Sequence, residues 1–512
     1  MLYTGELRHF RLEERGNHGS NSFDRFDSHP DLRSFSNSLK IAPTSFLEID
    51  IQYNETLPEK YKRSTYNPAG VIAAVQDYRI DHFRDLGINL RARAGSFEMY
   101  VGGVERHQKS MWNYATPGNV PIIFSYIESH YENINGGLRY LSHAEEQEYT
   151  SQLSRITKPL LNRHQINVEG LLDYKNGKIR RNSPYHSTGR LDNFYQTLNP
   201  HFTPRIALRY GVRDNLQVEG GLAYITPYKY KYDYRRYNAD TTTLFFPATY
   251  KLTDQFEIPC RVSYRPLENL ELKISSDMKI GHQKLDYYQK NTDNSVSNYP
   301  TRELSYFIAE PTVQLTYLFD NNSELEADEF SQVSSDLLAQ NQMLVELLFK
   351  KDFTQLNERD NNGAQNIIDP YNAFEHPLDY FVAGSEHALF STGNTTGFAA
   401  NAELHNYFIL EGGTTYGVTD RLNAEARVGY HSGTQFHHFV VNEIQSRYYN
   451  IKPYYYFDLG IDWRVTDNSL ISIRSHIVPV YKTFMTRAND SKSFYQRTAY
   501  FDIAIMWQIL FG

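Results

Sequence analysis

Apolar and polar residues alternate along many segments of this chain, each about 8 to 12 residues long. In the final segment every second residue from Phe501 to Phe511 is apolar, while Asp502 and Gln508 lie between them. Successive side chains of a β-strand point to opposite faces, so a period of two residues indicates a strand with one apolar face. Segments with the same alternation are 47–53, 86–90, 206–212, 216–224, 256–264, 270–274, 313–319, 422–430 and 457–465.

These segments have about the length that a tilted strand needs to cross a bilayer, about 9 to 11 residues. The sequence contains no run of about 18 apolar residues, which excludes a membrane-spanning helix. We therefore predict an all-β protein, an antiparallel transmembrane β-barrel of roughly 12 to 16 strands, because such barrels have even strand numbers. The alternative is a soluble all-β protein such as a propeller, but its strands are usually shorter and need no continuous apolar face.

A recurring turn separates several of the segments. An aromatic residue, a spacer and usually an aliphatic residue precede a short polar corner, after which an apolar residue opens the next strand. Asp and Asn favour such corners because their side chains bond nearby backbone groups. The aromatic residue would lie near the membrane surface, so we predict short periplasmic turns here. The copies are 210–216, 250–256, 264–270, 416–422 and 463–470.

Longer polar stretches rich in tyrosine lie between the hairpins and are predicted as extracellular loops. Tyrosines alternate with charged residues over 224–234, which predicts a strand that projects above the membrane. The pattern over 333–350 fits both a helix and a strand, and we favour a strand for 342–350. The predicted loops are 106–121, 175–200, 283–303, 352–395 and 431–450.

The beginning of the chain has a different character. Residues 1–40 are predicted as a polar N-terminal segment, in which 2–12 could form a displaced first strand, and residues 41–512 as a single barrel. Met1 to Glu6 lack the charged and apolar regions of a secretory signal, which an outer-membrane protein needs for export. Either the numbering begins after the signal, or the N-terminus is incomplete, or the barrel interpretation is wrong.

Composition supports a membrane barrel. Tyrosine accounts for 41 of the 512 residues, and its apolar ring with a polar tip suits a membrane interface. The mean hydropathy of -0.59 is compatible with this, because only alternate strand residues face lipid. A net charge of -8 without a dense basic block argues against nucleic-acid binding. The single cysteine, Cys260, excludes an internal disulfide.

Two hairpin sequences resemble those of a known class of proteins. The sequences LRYGVRDNLQVEGGLAY at 208–224 and YGVTDRL at 416–422 are similar to hairpins of outer-membrane transporters of the phenol meta-pathway type. The resemblance covers a few hairpins and implies a bacterial outer-membrane barrel. The C-terminal segment resembles the signal read by the barrel-assembly machinery, with Gly512 following Phe511 as a departure, and implies that machinery as a partner during biogenesis.

The same alternation assigns charged residues to the barrel lumen. An Arg or Lys that faces lipid near the bilayer midplane costs about 2 to 4 kcal/mol, so charges between apolar positions should point inward. The predicted lumen-lining residues are Arg205, Arg209, Glu219, Glu257, Arg261, Glu271, Lys273, Asp277, Glu425, Arg427, Asp458, Asp462, Arg464, Arg474 and Asp502. The predicted lipid-facing girdle is Tyr210, Tyr264, Tyr416, Trp463, Trp507 and Phe511.

We predict no metal, cofactor or catalytic site. His437 and His438 are adjacent and would point to opposite faces of a strand, and with His405 and His431 they match no metal-ligand spacing. The sequence DNNG at 360–363 lacks the alternating ligands and closing Glu of a calcium loop. No GxSxG, Walker A or GxGxxG pattern is present, so an enzyme is not expected.

The sequence thus predicts a porin-like channel or transporter for small solutes, embedded in the lipid bilayer of a bacterial outer membrane. Its charged lumen could be a water-filled, weakly selective pore, because rings of side-chain charge tune which solutes enter. The same charges could instead form an ion-pair lattice that fills a narrow barrel. The alternative function is a structural or adhesive barrel with a plugged lumen and extracellular loops that bind a partner.

Overall fold

In a computed structural model the chain forms one antiparallel β-sheet that closes on itself. No helix in the described residues is long and apolar enough to cross a membrane. The residues that the structure describes are 1–20, 22–28, 31–44, 46–66, 71–115, 125–142, 160–185, 190–237, 243–267, 269–290, 296–319, 337–360, 400–405, 407–440, 447–487 and 490–511.

Within these ranges the sheet contains 25 hydrogen-bonded segments. Their bounds are β1 Leu2–Ser20, β2 Ser22–Ser28, β3 Asp31–Thr44, β4 Leu47–Thr56, β5 Glu59–Tyr66, β6 Ile72–Ala94, β7 Phe97–Ala115, β8 Ser125–Leu141, β9 Ile166–Tyr185, β10 Arg190–Arg213, β11 Leu216–Ile225, β12 Tyr228–Tyr237, β13 Thr243–Leu267, β14 Leu270–Lys290, β15 Val296–Phe319, β16 Met343–Lys351, β17 Phe353–Asp360, β18 Ala400–His405, β19 Phe408–Thr419, β20 Leu422–His431, β21 Thr434–Val440, β22 Arg447–Ile451, β23 Tyr454–Thr466, β24 Ser469–Arg487 and β25 Asp490–Leu510.

Several consecutive segments form one continuous wall strand, so the described part of the barrel has 18 strands. The composite strands are β2 with β3, β4 with β5, β11 with β12, β16 with β17, β18 with β19, β20 with β21 and β22 with β23. The first and last strands close the wall, because β1 pairs with β25 from Leu2 opposite Leu510 to Asn17 opposite Tyr495. Closure removes the unpaired strand edges that an open sheet would expose.

The predicted all-β antiparallel barrel is confirmed, but it has more strands than the 12 to 16 expected. Some of the additional strands lack a continuous apolar face. β3, for example, carries Ser34, Ser36 and Ser38 on one side, yet it pairs along its length with β1 and β4. Backbone hydrogen bonds hold such a strand in the wall whatever its side-chain pattern. The wall accordingly begins at Leu2, within the segment 1–40.

Short turns connect the strands at one end of the barrel. The predicted turns within 210–216, 264–270, 416–422 and 463–470 are confirmed, since each lies between two adjacent paired strands. The predicted turn at 250–256 is wrong, because this segment lies within β13. There the pairing with β14 shifts between Leu252 and Gln255, and such an irregularity accommodates polar residues without reversing the chain.

At the other end the strands extend far beyond the apolar segments. β13 has 25 residues and β15 has 24, more than twice the roughly 10 that span a bilayer. The predicted loops at 106–121, 175–200, 283–303 and 431–450 are therefore in large part strand, and 224–234 is strand as predicted except for the break between β11 and β12. Tyrosines alternate with charged residues in these extensions, so both faces of the strand can be exposed to water. Most of the predicted loop 352–395 lies outside the described residues.

Candidate functional site

The barrel wall has two chemically different faces. On β23, the side chains of Phe457, Leu459, Ile461 and Trp463 are between 40% and 50% exposed. Large apolar side chains are mostly buried in soluble proteins, so their regular exposure along a strand is unusual. The same face continues across the other strands, and we call it the apolar face. The opposite side of each strand is the polar face. Further exposed members of the apolar face are Leu138, Leu172, Ile206, Leu208, Leu222, Ile274, Leu347 and Val428.

All fifteen residues predicted to line the lumen lie on the polar face, as the strand registers show. Side chains on this face are more enclosed than those on the apolar face. Thr316 and Asn423 are 2% exposed and Thr498 is 1% exposed. Most of the charged residues on this face form ion pairs with neighbouring strands.

One group of ion pairs crosses β9 to β14. Arg209 and Arg261 lie directly opposite Glu219 on either side, with nitrogen to oxygen distances of 3.5 and 3.7 Å. Arg205 contacts Asp173 at 3.3 Å and Glu257 at 3.8 Å. Arg205 and Arg209 lie on β10 and Arg261 lies on β13, on the two sides of β11, which carries Glu219.

A second part of this group lies near the short turns. Glu271 is only 2% exposed and contacts Arg265 at 2.7 Å and Lys273 at 2.8 Å. Two cations thereby compensate one carboxylate that is almost completely removed from water, as a buried charge requires. Asp277 lies on the polar face of the same strand and remains exposed.

The second group centres on Arg427. Its guanidinium contacts Glu346 at 2.8 Å, Glu411 at 3.5 Å and Glu425 at 3.4 Å, which come from three strands. Arg474 extends the group by contacting Asp462 at 2.6 Å and Glu425 at 3.8 Å. Four carboxylates are thus held around two arginines.

The remaining predicted residues complete the polar face. Asp458 contacts the imidazole of His476 at 2.5 Å, and Asp502 forms an ion pair with Arg8 across the seam between β25 and β1. Arg464 lies near the short turn of β23, opposite Leu470.

Sequence reasoning missed one network on the polar face of β4 to β9. Arg139 contacts Glu98 at 3.5 Å and Glu169 at 3.1 Å, while Arg91 contacts Glu98 at 3.4 Å and Glu48 at 3.7 Å. The alternation of Leu86, Ile88 and Leu90 already places residue 91 opposite the apolar face, so part of this network could have been found. Its carboxylate partners lie on strands with weaker alternation.

The predicted girdle residues occupy the ends of strands next to the short turns. Tyr264, Tyr416, Trp463 and Phe511 are 39 to 49% exposed. Tyr210 instead shares a hydrogen bond of 2.8 Å with the His164 side chain. Trp507 lies on the apolar face over Gly5, where the lack of a side chain leaves room for the indole, and its ring centroid is 6.3 Å from that of Phe35.

Two similar segments dock against the short-turn end. They are LLNRHQ at 160–165 and LLAQNQ at 337–342, and we call them the docking segments. Each precedes a wall strand and contacts a hairpin of the form YGVxD, at 210–214 and 416–420 respectively. The strand predicted for 342–350 is confirmed, because β16 spans Met343–Lys351 and follows the second docking segment directly. The pairing between segment and hairpin was not predicted from the sequence.

The first docking segment is held by four hydrogen bonds to the hairpin. The backbone N–H of His164 donates to the carbonyl of Gly211 at 2.8 Å, and the N–H of Gly211 donates to the carbonyl of Gln165 at 3.0 Å. The N–H of Arg163 donates to the Asp214 carboxylate at 2.9 Å. The fourth is the contact between His164 and Tyr210. His164 has a φ of 65°, an uncommon conformation for a residue with a side chain.

The second docking segment repeats this arrangement. The N–H of Asn341 donates to the carbonyl of Gly417 at 2.8 Å, and the N–H of Gln340 donates to the Asp420 carboxylate at 2.9 Å. Tyr416 donates its hydroxyl hydrogen to the Asn341 side chain at 2.9 Å. Asn341 has a φ of 66°, matching His164. The two docking segments therefore make corresponding hydrogen bonds to their YGVxD hairpins at the short-turn end of the barrel.

Histidines on the polar face take part in ring contacts. His431 stacks between Tyr407 and Tyr454, with ring centroids 4.5 and 4.9 Å away. Among the described residues no group of three His, Cys, Asp or Glu side chains has a geometry that could hold a metal ion.

No protein-family model matches the sequence, and no curated protein matches it. Similar solved structures include the toluene transporter TbuX of Ralstonia pickettii, with 7% identity, a TM-score of 0.34 and coverage of 100% of this chain and 89% of that one. The ferric yersiniabactin uptake receptor FyuA of Yersinia pestis has 9% identity, a TM-score of 0.41 and coverage of 99% and 80%. The alcaligin outer-membrane receptor FauA of Bordetella pertussis has 10% identity, a TM-score of 0.34 and coverage of 96% and 75%.

Proposed function

We propose that this protein is a bacterial outer-membrane barrel that conducts small solutes through a water-filled lumen lined by its polar face. The observation that carries the proposal is the division of a closed 18-stranded wall into an exposed apolar face and an ion-paired polar face. Lipid solvates an apolar outer surface at no cost, whereas a soluble barrel would expose it to water. The proposed location and the bilayer as partner follow from this division.

The polar face fits the inner side of the wall. Side chains converge on the concave side of a closed sheet, which explains why Thr316, Asn423 and Thr498 are almost completely enclosed. Arginine tips on the same face keep contact with solvent, since the Arg8 and Arg261 side chains are 49% and 52% exposed. Enclosed stems with exposed tips are expected where side chains project from a wall into a water-filled space.

Strand number supports an open lumen. Eighteen strands about 4.8 Å apart and tilted by about 40° give a backbone radius of roughly 18 Å, and side chains reduce the free radius to roughly 10 Å. Barrels of 16 to 18 strands generally leave an aqueous channel. The short turns would face the periplasm and the long strand extensions the exterior, as in other outer-membrane barrels. We propose no catalytic role.

Single-channel recording tests the proposal. Protein refolded in detergent and checked for intact β-structure by circular dichroism is added to a planar bilayer in potassium chloride, with heat-unfolded protein as the control. We expect discrete conductance steps from the folded protein only. A correctly folded barrel that leaves the current at baseline would contradict the channel function and support the plugged structural or adhesive alternative.

A further inference from the structure

We propose that the lumen prefers anionic solutes, such as small carboxylates and phosphates, and that Arg205, Arg209 and Arg261 set this preference. The inference rests on the proposed channel function and adds a substrate class to it.

In most of the described ion pairs of the polar face, the cation is more exposed than the carboxylate; Lys350 and Glu310 are equally exposed. The Arg209 and Arg261 side chains are 40% and 52% exposed, while their shared partner Glu219 is 21% exposed. Arg205 is 39% exposed and its partner Asp173 is 16% exposed. The same order holds elsewhere on this face, for Arg8 with Asp502, Arg91 with Glu98 and Arg474 with Asp462.

The cause is the difference in side-chain length. An Asp or Glu carboxylate ends close to the barrel wall, whereas an arginine stem carries its guanidinium several bonds further from the backbone. A solute in the lumen therefore meets guanidinium groups first, with the compensating carboxylates behind them.

The arginines of β10 and β13 also carry a local surplus of positive charge. Arg209 and Arg261 lie on the two sides of Glu219 and share this one carboxylate. Across β9 to β14, the ion pairs of the polar face join six cations to four carboxylates. Asp277, which lies on the same face of β14, reduces this surplus without removing it.

Guanidinium groups in this arrangement suit carboxylates and phosphates. Their planar N–H donors can bind two oxygens at once. Rings or rows of such groups make pores selective for anions. The carboxylates around Arg427 lie on the same polar face but are more enclosed than these arginines. The Glu346 and Glu425 side chains are only 11% and 10% exposed, so they contribute less negative charge to the lumen surface than their number suggests.

Reversal potentials measured across a potassium chloride gradient test the inference. We expect chloride to permeate better than potassium through the wild-type channel. Arg261→Gln should lower the chloride-to-potassium permeability ratio by up to about fivefold, the factor that one unit charge contributes at close range in water. Glu219→Gln should raise the ratio, because it removes the carboxylate that the two arginines share. Arg261→Lys, which keeps the charge, should retain most of the preference.

Arg421→Gln is the matched control. Arg421 is 56% exposed at a short turn and is paired with Asp467, so its replacement should leave the ratio unchanged. A conducting channel that prefers potassium, or whose ratio does not respond to Arg261→Gln and Glu219→Gln, overturns the anion preference and leaves the channel function intact. Folded protein without any conductance contradicts the channel function itself, so the two failures are distinguishable.

Discussion

Replacing Gly211 by alanine should destabilise the barrel by about 2 to 4 kcal/mol. A Cβ atom at this position would lie 2.0 Å from the carbonyl oxygen of Asn162 and 2.7 Å from that of Leu161. Both oxygens belong to the backbone of the first docking segment, so no side-chain rotation can relieve the overlap. The segment would have to move by about 1 Å to restore a normal contact distance.

That movement breaks defined interactions. Gly211 exchanges two backbone hydrogen bonds with the docking segment, to His164 and Gln165. Each is worth about 1 kcal/mol net, and residual overlap adds about 1 to 2 kcal/mol. Gly417→Ala should have a similar effect, because its Cβ would lie 2.0 Å from the carbonyl oxygen of Ala339.

Gly220→Ala provides the control, since a Cβ at Gly220 would meet no atom within 4 Å. The assay is urea unfolding of the barrel in phospholipid vesicles, followed by tryptophan fluorescence, with the free energy of unfolding obtained by linear extrapolation. We expect Gly220→Ala to be neutral or slightly stabilising, because alanine restricts the unfolded chain more than glycine does. Equal free energies of unfolding for Gly211→Ala and Gly220→Ala would refute the reasoning about the docking segments.

Two further substitutions probe the two faces of the wall. Arg427→Met should cost about 3 to 5 kcal/mol because it leaves three partly buried carboxylates without their shared cation, whereas Arg421→Met at an exposed turn should change stability by less than about 1 kcal/mol; similar losses for both would contradict the ion-pair network. Leu459→Arg should cost about 2 to 4 kcal/mol in vesicles if this exposed side chain faces lipid near the bilayer midplane, with Leu459→Ala as the milder control, and an unchanged free energy of unfolding would count against lipid contact.

Much of the wall could be predicted from sequence because alternation reports directly on an exposed apolar face. The alternation predicts the strands around Ile206, Leu459 and Ile505, and their charged neighbours lie on the face opposite the apolar residues. β1 and β3 are harder to predict, because they have few apolar residues and their backbone pairing with neighbouring strands leaves no signal in the sequence pattern. The strand extensions have polar residues on both faces, so their composition does not distinguish a continued hairpin from a loop.

The ion-pair partners and the docking segments could not be predicted. Arg427 and Glu346 are 81 residues apart in the sequence and meet only because of the registers of β16, β19 and β20. Alternation gives the face of a residue but not its height relative to a neighbouring strand. The docking segments depend on main-chain contacts with hairpins further along the chain, and the similarity of LLNRHQ to LLAQNQ becomes meaningful only once both are seen in place.

The most direct test of the account is the environment of alternate residues along β23. Single cysteines introduced at positions 457 to 463, in a variant whose exposed Cys260 is replaced by serine, can carry nitroxide labels in the refolded, vesicle-bound protein. The account predicts that labels at Phe457, Leu459 and Ile461 collide strongly with oxygen dissolved in the bilayer, while labels at Asp458, Gly460 and Asp462 collide with a water-soluble nickel complex. Labels at the odd positions that neither oxygen nor nickel reaches would place the apolar face in a protein interior and contradict the membrane barrel.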